Sequence, residues 1–466
     1  MSTNSSFIKI GIIGKPSCGK STLLNAIADA NAKTGNYPFT TIEPNHGTAL
    51  YRASIPCPCA EFELQKFCKP KYGKCVNSVR YIPISVMDVA GLVPGASLGK
   101  GLGNKFLDDL RHAHVLIHVL DVSGTTNEKG ENCEGYDPIS DIEWLEKEIH
   151  DWIFNNLWSR WDSIVRKHRQ CKNTITETFS QQLSGYGCNR KFIVAFCDHL
   201  ARTMTQLLDD TVNEEEKRNL YSKHIKPLDK WSEEDLHAFV SIFVEFRFPT
   251  LYALNKIDHK ASSKYINKFY EKYDNDRIVL TSALAECFLK TMRKKGYVLY
   301  NEGDSEVKTF EDFDENDEER KLLKPITDQK NLQILQNIKD FVLARFDSTG
   351  VMEAIKKAVD LQEPVIIYPV NQNITQVSEH MKDREGVEDL RVFEDVALMR
   401  YGSSVKSFVS KFYRSIIPTE QQVISESGKP MLPPYYVEGI DGRRLAEHHL
   451  FKKDCNNIIR VVFTGH

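Results

Sequence analysis

Gly14 to Ser21 reads GKPSCGKS, a pair of glycines enclosing four residues and followed directly by Lys20 and Ser21. Glycines so placed let successive backbone N–H groups curl around an anion, a lysine adds a point charge, and a serine hydroxyl can ligate a hard divalent cation. The chemistry implied is the gripping of nucleotide phosphates with Mg²⁺. Gly14, Lys15, Pro16, Ser17, Cys18, Gly19, Lys20, Ser21 and Thr22 are predicted to do it, with Ser21 on the metal. Three further stations follow in order. Asp88-Val89-Ala90-Gly91 offers a carboxylate that reaches Mg²⁺ through water and a glycine N–H that senses a terminal phosphate. Asn255-Lys256-Ile257-Asp258 offers a carboxylate that accepts from both N1–H and the exocyclic amine of guanine, a donor pair adenine lacks. Ser282-Ala283-Leu284 would bring a backbone N–H toward the guanine O6. One such short motif arises often by accident, whereas four in order, each closing an apolar run, do not.

A sheet must position these residues. Phe7–Ile13 is a β-branched run ending at Gly14, and Ser21–Ala30 carries a helical pattern. Apolar runs at Tyr81–Ala90, His114–Val122, Pro249–Asn255 and Arg277–Ser282 are continuous rather than alternating. That fits a mainly parallel sheet covered on both faces, with ligands at the carboxyl ends of its strands. The stretch 136–246 reads helical, because Leu145, Ile149, Trp152, Ile153, Leu157, Trp158 and Trp161 recur at three- and four-residue spacings. It is expected to be an insertion, an antiparallel hairpin projecting from the sheet. Acidic residues crowd 301–320 as a solvated loop, and helices follow at Leu332–Phe346 and from Gly350 to Leu361. Pro364–Val370, Val396–Tyr401 and Ile458–Phe463 read as strands, with Ser404–Tyr413 a helix between them, making a separate small α+β unit.

The chain has 466 residues and a formal charge of −3, so it suits several domains and is not basic throughout. Nucleic-acid contact would need a local patch, and no DNA-reading motif is present. No secretory pattern opens the chain and no apolar run approaches the roughly 18 residues of a membrane span. A cytoplasmic protein without a membrane partner is expected. Eleven cysteines then read as reduced thiols or metal ligands rather than a disulfide framework. Cys57, Cys59, Cys68 and Cys75 lie in one Pro- and Lys-punctuated segment with spacing C-x-C-x₈-C-x₆-C. They could hold a structural Zn²⁺, or stand as unmetallated thiols, since the spacing is not that of paired CxxC knuckles. Cys18 inside the phosphate loop reads as a small buried apolar residue.

Tyr37–Asn45 (YPFTTIEPN) and Asp88–Arg111 (DVAGLVPGASLGKGLGNKFLDDLR) resemble the Obg superfamily, within it the YchF-like branch. The resemblance continues through Asp137–Ile149 (DPISDIEWLEKEI) and into a C-terminal part similar to the TGS domain, and so covers nearly the whole chain. It implies that Thr41 is the switch threonine ligating Mg²⁺ beside Ser21, and that Gly91, Gly95, Gly99, Gly101 and Gly103 form a mobile second switch. Lys20, Thr41 and Gly91 would then carry catalysis. The YchF branch is known for a weakened guanine motif and a preference for ATP, whereas Asn255–Asp258 is intact here, which places the chain in a GTP-type subgroup. Leu92 stands where many small GTPases have a water-orienting glutamine, so hydrolysis should be slow or partner-stimulated. Ser17 replaces the asparagine with which some relatives hold K⁺. TGS modules are often found with RNA or ribosomes, and Lys406, Lys411, Arg414, Arg443, Arg444, Lys452 and Lys453 are the basic residues available for such contact.

The expected fold is thus an α/β P-loop NTPase with a doubly wound, mainly parallel sheet, a helical insertion and a C-terminal ubiquitin-like α+β TGS domain. The boundaries are 1–135 with 247–361 for the nucleotide domain, including a cysteine insert at 55–78 and linker helices at its end, 136–246 for the insertion, and 362–466 for the last unit. The expected activity is that of a slow, Mg²⁺-dependent GTPase switch alternating between GTP and GDP in translation or ribosome-associated regulation. Two alternatives stay open: a ribosome- or RNA-binding module in which nucleotide is a structural or sensing ligand, and an ATP-preferring YchF-like ATPase.

Overall fold

The computed structural model describes residues 8–28, 46–89, 109–204, 225, 227–381, 390–416, 423–424, 430–431 and 433–464. Thr40, Thr41, Gly91, Leu92 and the other glycines of the expected second switch lie outside them.

The first sheet has seven strands, and its main path runs β2, β4, β1, β5, β6, β7. These are β1 (Lys9–Ile13), β2 (His46–Arg52), β4 (Val79–Asp88), β5 (Val115–Asp121), β6 (Thr250–Asn255) and β7 (Ile278–Thr281). β4, β1, β5, β6 and β7 are mutually parallel. β2 and the short β3 (Lys74–Val76) both run antiparallel to β4. β5, sequence VLIHVLD, is buried at every position, which is why its run is continuous: both faces of a parallel sheet are covered. β2 was not legible in the sequence, since HGTALYR opens on polar and small residues and buries only its second half.

Register sets the site. Asp88 pairs with Ile12, Asp121 with Asn255, and Asn255 with Thr281, so the carboxyl ends of five strands lie along one rim.

On one face lie α1 (Lys20–Ile27) and, from far along the chain, Val351–Asp360, which joins the core through Val351, Ala354, Ile355, Ala358 and Val359. That segment, expected as a linker, is a core helix. On the other face the helices Ile139–Trp158, Trp161–Gln170, Ile175–Gln182, Arg190–Met204 and Glu233–Arg247 share one apolar cluster with Ile13, Met87, Val89 and Leu116 of the sheet domain. The helical periodicity was read correctly, but the described helices form a layer seated on the sheet rather than a projecting hairpin. Capping boxes at Thr174/Glu177 and Ser232/Asp235 start two of them. A β-hairpin of β8 (Val298–Tyr300) and β9 (Val307–Thr309) straddles the start of the acidic stretch, which is therefore not all loop, because Val298, Tyr300 and Val307 have an apolar cluster to join.

A second sheet of five strands runs β11 (Ala397–Arg400), β10 (Pro364–Val370), β16 (Asn456–Phe463), β14 (Tyr435–Gly439), β15 (Arg444–Leu445), while β12 (Val423–Ile424) and β13 (Pro430–Met431) make a separate ribbon. β10 and β16 are parallel and the other neighbours antiparallel. The helix Val405–Ile416 packs on it through Val405, Phe408, Val409 and Phe412. The chain therefore has the mixed α/β P-loop GTPase fold with a C-terminal sheet unit consistent with TGS.

Candidate nucleotide-binding site

Between β1 and α1 the loop turns through conformations that β-carbons oppose. Gly14 has φ 143°, and a β-carbon there would stand 2.6 Å from the Val119 carbonyl oxygen; Gly19 has φ 105° with its place 2.3 Å from Asn255 Nδ2. Both need glycine on two counts. Ser17 also takes a positive φ of 63°, and Cys18 is fully buried with its thiol pushed up by that burial.

Lys20 Nζ donates to the Lys15 carbonyl at 2.7 Å, folding the ammonium back over its own loop. The Lys15 side chain does something the sequence did not suggest. It is 0% exposed, donates to the Thr126 carbonyl at 2.7 Å, and forms an ion pair with Asp141 at 2.9 Å. Tyr136 presents its ring to the same ammonium at 4.0 Å and its hydroxyl to Asp141 at 2.8 Å. Any contribution of Lys15 to phosphate must therefore come from its backbone, because its side chain bolts the loop to the start of the first insertion helix. Burial raises the Asp141 carboxyl against the pull of Lys15.

Ser21 Oγ donates to Asp88 Oδ2 at 2.7 Å, so the two predicted metal ligands meet. The other Asp88 oxygen, Oδ1, is buried with no hydrogen-bond partner among the described residues. A hydroxyl and a carboxylate with a spare buried oxygen, both hard donors, suit Mg²⁺. When bound with nucleotide, that ion neutralises phosphate charge.

The base end is built around Asn255. Its Nδ2 donates to the Cys18 carbonyl at 3.0 Å and its Oδ1 accepts from Ala283 N–H at 3.1 Å, so one side chain ties the phosphate loop to the last strand end. With Ala283 N–H so used, the next backbone donor is Leu284 N–H, in a first helical turn that leaves it without an intrahelical acceptor. Ser282 Oγ donates to Asp258 Oδ1 at 2.7 Å, holding an otherwise exposed carboxylate in place. Lys256 Nζ reaches Asp121 Oδ2 at 2.7 Å. Asp121 was missed: burial opposes its charge, but hydrogen bonds from Lys256, Ser123 and Thr126 hold its carboxyl below the usual range. Its place at the end of an apolar strand, where Asp88 and Asn255 also sit, was the available signal.

The four clustered cysteines converge, with all four Sγ atoms within 4.8 Å of one another. Cys57–Cys68 and Cys59–Cys75 are each at 3.8 Å. Hydrogen bonds from Cys59 and Cys68 draw the Cys57 thiol down, while the contacts of Cys68 with Cys57 and then Cys59, with burial, hold the Cys68 thiol up. On the C-terminal unit several expected basic contacts are already paired: Lys406 with Glu447 at 2.8 Å, Lys453 with Glu363 at 3.0 Å and Arg443 with Asp441 at 3.6 Å. Among the described residues no helix is long and apolar enough to cross a membrane.

Comparison with known proteins bears on this site directly. The profile of the 50S ribosome-binding GTPases matches residues 9–155, and that of the Obg-like GTPase YGR210-like, G4 motif-containing domain matches 253–372. An uncharacterized GTP-binding protein of Schizosaccharomyces pombe is 45% identical over 397 residues, 85% of this chain and 88% of that protein. The chain belongs to the Obg-like GTPases, on their YchF-like branch. A GTP-binding protein of Methanocaldococcus jannaschii is 35% identical over 408 residues, 87% of this Obg-like chain and 90% of that one. The ribosome-binding ATPase YchF of Bacillus subtilis is 40% identical over 142 residues, only 30% of this chain and 35% of that protein. The crystal structure of a GTP binding protein from Pyrococcus horikoshii superposes with TM-score 0.63 at 26% identity, covering 98% of this chain and 100% of that one.

Proposed function

We propose that this chain binds GTP and GDP with Mg²⁺, hydrolyses GTP slowly, and uses the cycle as a switch in ribosome-associated regulation. The observation that carries the guanine assignment is the base end, where Ser282 holds Asp258 at 2.7 Å and Asn255 braces the phosphate loop against Ala283. Asp258 has the lone pairs to accept two guanine N–H groups while still receiving the Ser282 hydroxyl. Adenine offers no such pair, so the ATP-preferring alternative lacks a contact here. The names of the full-length relatives, GTP-binding proteins both, point the same way.

In this reading the loop amides and Lys20 hold the phosphates, with Lys15, Pro16, Ser17, Cys18, Gly19 and Thr22 shaping the cradle. Ser21, Thr41 and Asp88 serve the metal, and Asn255, Lys256, Asp258 and Ser282 serve the base end, where Ala283 is held by Asn255 and the Leu284 N–H is left for the guanine O6. Thr41 and Gly91 report the terminal phosphate. Leu92 cannot orient a water, which keeps intrinsic turnover low. The nucleotide part comprises residues 1–135 and 247–361, the helical layer 136–246, and the TGS-like unit 362–466. Ribosome association rests on the relatives named ribosome-binding, with the cytoplasm as its setting.

Single-turnover hydrolysis of GTP, with and without ribosomes, tests the switch. Turnover above that of the Lys20→Ala variant in at least one condition is expected. A rate equal to the variant in both would favour the alternative in which nucleotide is only a structural or sensing ligand.

A further inference from the structure

We propose that Cys57, Cys59, Cys68 and Cys75 bind a structural Zn²⁺ ion, and that this ion fixes the insert against which the C-terminal sheet docks. Four thiolates at the usual Zn–S distance of about 2.3 Å, arranged tetrahedrally, have S···S edges of about 3.8 Å. The two closest sulfur pairs stand at 3.8 Å, and all four fit within 4.8 Å. That spacing is far beyond the roughly 2.05 Å of a disulfide. Four sulfur ligands with no fifth side-chain donor grouped with them among the described residues make a closed site, which is the structural rather than the catalytic pattern.

Two neighbours support ligands in the thiolate form. Arg80 is 0% exposed and makes no ion pair with a carboxylate among the described residues. Its Nη1 donates to the Phe393 carbonyl at 2.9 Å and its Nη2 to that of Glu394 at 3.0 Å, and both acceptors are neutral. The sulfur of Cys68 lies 3.9 Å from Nη1, so thiolates in the cluster would sit against this buried guanidinium and, with the Asp395 carboxylate beyond ion-pair distance, balance its charge. Tyr368, from the C-terminal sheet, is also 0% exposed. Its hydroxyl has no hydrogen-bond partner among the described residues and lies beside Cys57, where a thiolate would accept its hydrogen bond.

The ion's position gives it a task. Residues 53–78 hold only a three-residue 3-10 turn and the three residues of β3 as regular structure, too little to order the segment by its own hydrogen bonds. Yet this segment receives the C-terminal unit. Val392 N–H donates to Phe67 O at 3.0 Å, Lys71 N–H to Glu394 O at 2.9 Å, and Asn456 Nδ2 to Pro56 O at 2.9 Å. Cys68 itself bridges to Val392 in a parallel pairing. The cluster flanks the start of β4, whose other end carries Asp88, about 30 Å away at 3.3 Å per residue. The metal is therefore remote from the nucleotide chemistry.

The test uses the full chain purified without chelators. Elemental analysis should find one zinc per chain, retained through gel filtration and released when an organomercurial titrates the thiols. The double variant Cys59→Ser/Cys75→Ser should lose the zinc, and amide hydrogen exchange at 67–71 and 392–394 should accelerate at least tenfold. Its affinity for fluorescent GDP should match the parent, which also shows that it is folded. Should the variant fail to fold, the mercurial-treated parent supplies the same exchange comparison. Iron in place of zinc, or metal-free protein whose four thiols alkylate as fast as the exposed Cys171, overturns the site. Zinc whose removal leaves exchange at 392–394 unchanged overturns the docking role.

Discussion

Replacing Asp258 by asparagine tests the base assignment most sharply, because it inverts one hydrogen-bonding element and leaves the shape alone. A carboxylate has about four acceptor positions, and Ser282 uses one of those on Oδ1 at 2.7 Å. The remainder can take guanine N1–H and the exocyclic N–H together. In Asp258→Asn the amide oxygen still accepts from Ser282 and from N1–H, but the amide nitrogen now faces the exocyclic amine donor to donor. Charge-assisted hydrogen bonds contribute about 1.5–3 kcal/mol each, and the exposure of Asp258 places them near the lower figure. Losing the bond to the exocyclic amine, stripping the one to N1–H of its charge and leaving two donors face to face together cost about 3 kcal/mol, a weakening of GDP binding of roughly 10²-fold. Xanthine carries a carbonyl where guanine has the amine, so XDP regains a partner and should bind the variant at least about tenfold better than GDP. Competition of GDP, XDP and ADP against a fluorescent nucleotide, on parent and variant, reads all of this. A variant that keeps the parent's GDP affinity, or a parent that prefers ADP, refutes the role given to Asp258.

The remaining predictions concern the phosphate loop and the strand beneath it. Asp141→Ala strands the buried Lys15 ammonium, and breaking a buried pair costs about 3–5 kcal/mol. At roughly 2–4 °C per kcal/mol a fall in Tm of about 10 °C is expected in a thermal melt, and an unchanged melt refutes the ion pair as an anchor. His118 lies in β5, where burial, then the positive charges of Lys20 and Lys15, push its imidazole down to about 3. The unfolded chain takes up a proton near pH 6.5 that the folded chain refuses, so His118 makes stability fall as pH drops from about 6.5 toward 3. The slope is up to about 1.4 kcal/mol per pH unit, and urea midpoints of His118→Leu between pH 7 and 4.5 should vary less than the parent's; equal variation refutes it. Gly19→Ala places a β-carbon 2.3 Å from Asn255 Nδ2, so it should break the Asn255–Cys18 contact and abolish detectable GDP binding in calorimetry.

The strands that carry the site were legible because their residues are local signals: continuous apolar runs ending in Asp88, Asn255 or Ser282 are visible within ten positions of each motif. What was hidden depends on partners distant in the chain. Nothing near Lys15 announces Asp141, and a lysine second in a phosphate loop reads as one more phosphate ligand until its ion pair is seen. Lys256 likewise reads as a base neighbour until Asp121 takes its ammonium. The amphipathic stripe of Leu145, Ile149 and Ile153 predicts helix but is silent about what it covers, and here it covers Ile13, Met87 and Leu116 of the sheet. The cysteine spacing alone, unlike that of paired CxxC knuckles, leaned toward free thiols over metal; only the folding of the insert brings Cys57 and Cys59 to Cys68 and Cys75.

The phosphate loop is fastened at both ends, to the helical layer through Lys15–Asp141 and to the base strand through Cys18–Asn255. A loop so held is poorly placed to move when a terminal phosphate is lost, so the switch proposed above would work through the segments beside the loop. In sequence they adjoin the two strands at one edge of the sheet. β2 begins at His46, just after the Tyr37–Asn45 motif, and β4 ends at Asp88, just before Gly91, with His46 opposite Met87 in antiparallel register. The same two strands meet again at Arg52 and Tyr81, where the chain enters the cysteine insert and the C-terminal sheet is hydrogen-bonded to it. A sheet edge transmits displacement along its strands because its ladder resists slippage by even one residue. β2 and β4 are therefore the shortest covalent connection between the expected switches and the C-terminal unit, and the stiffness of the insert decides how much of any displacement arrives there.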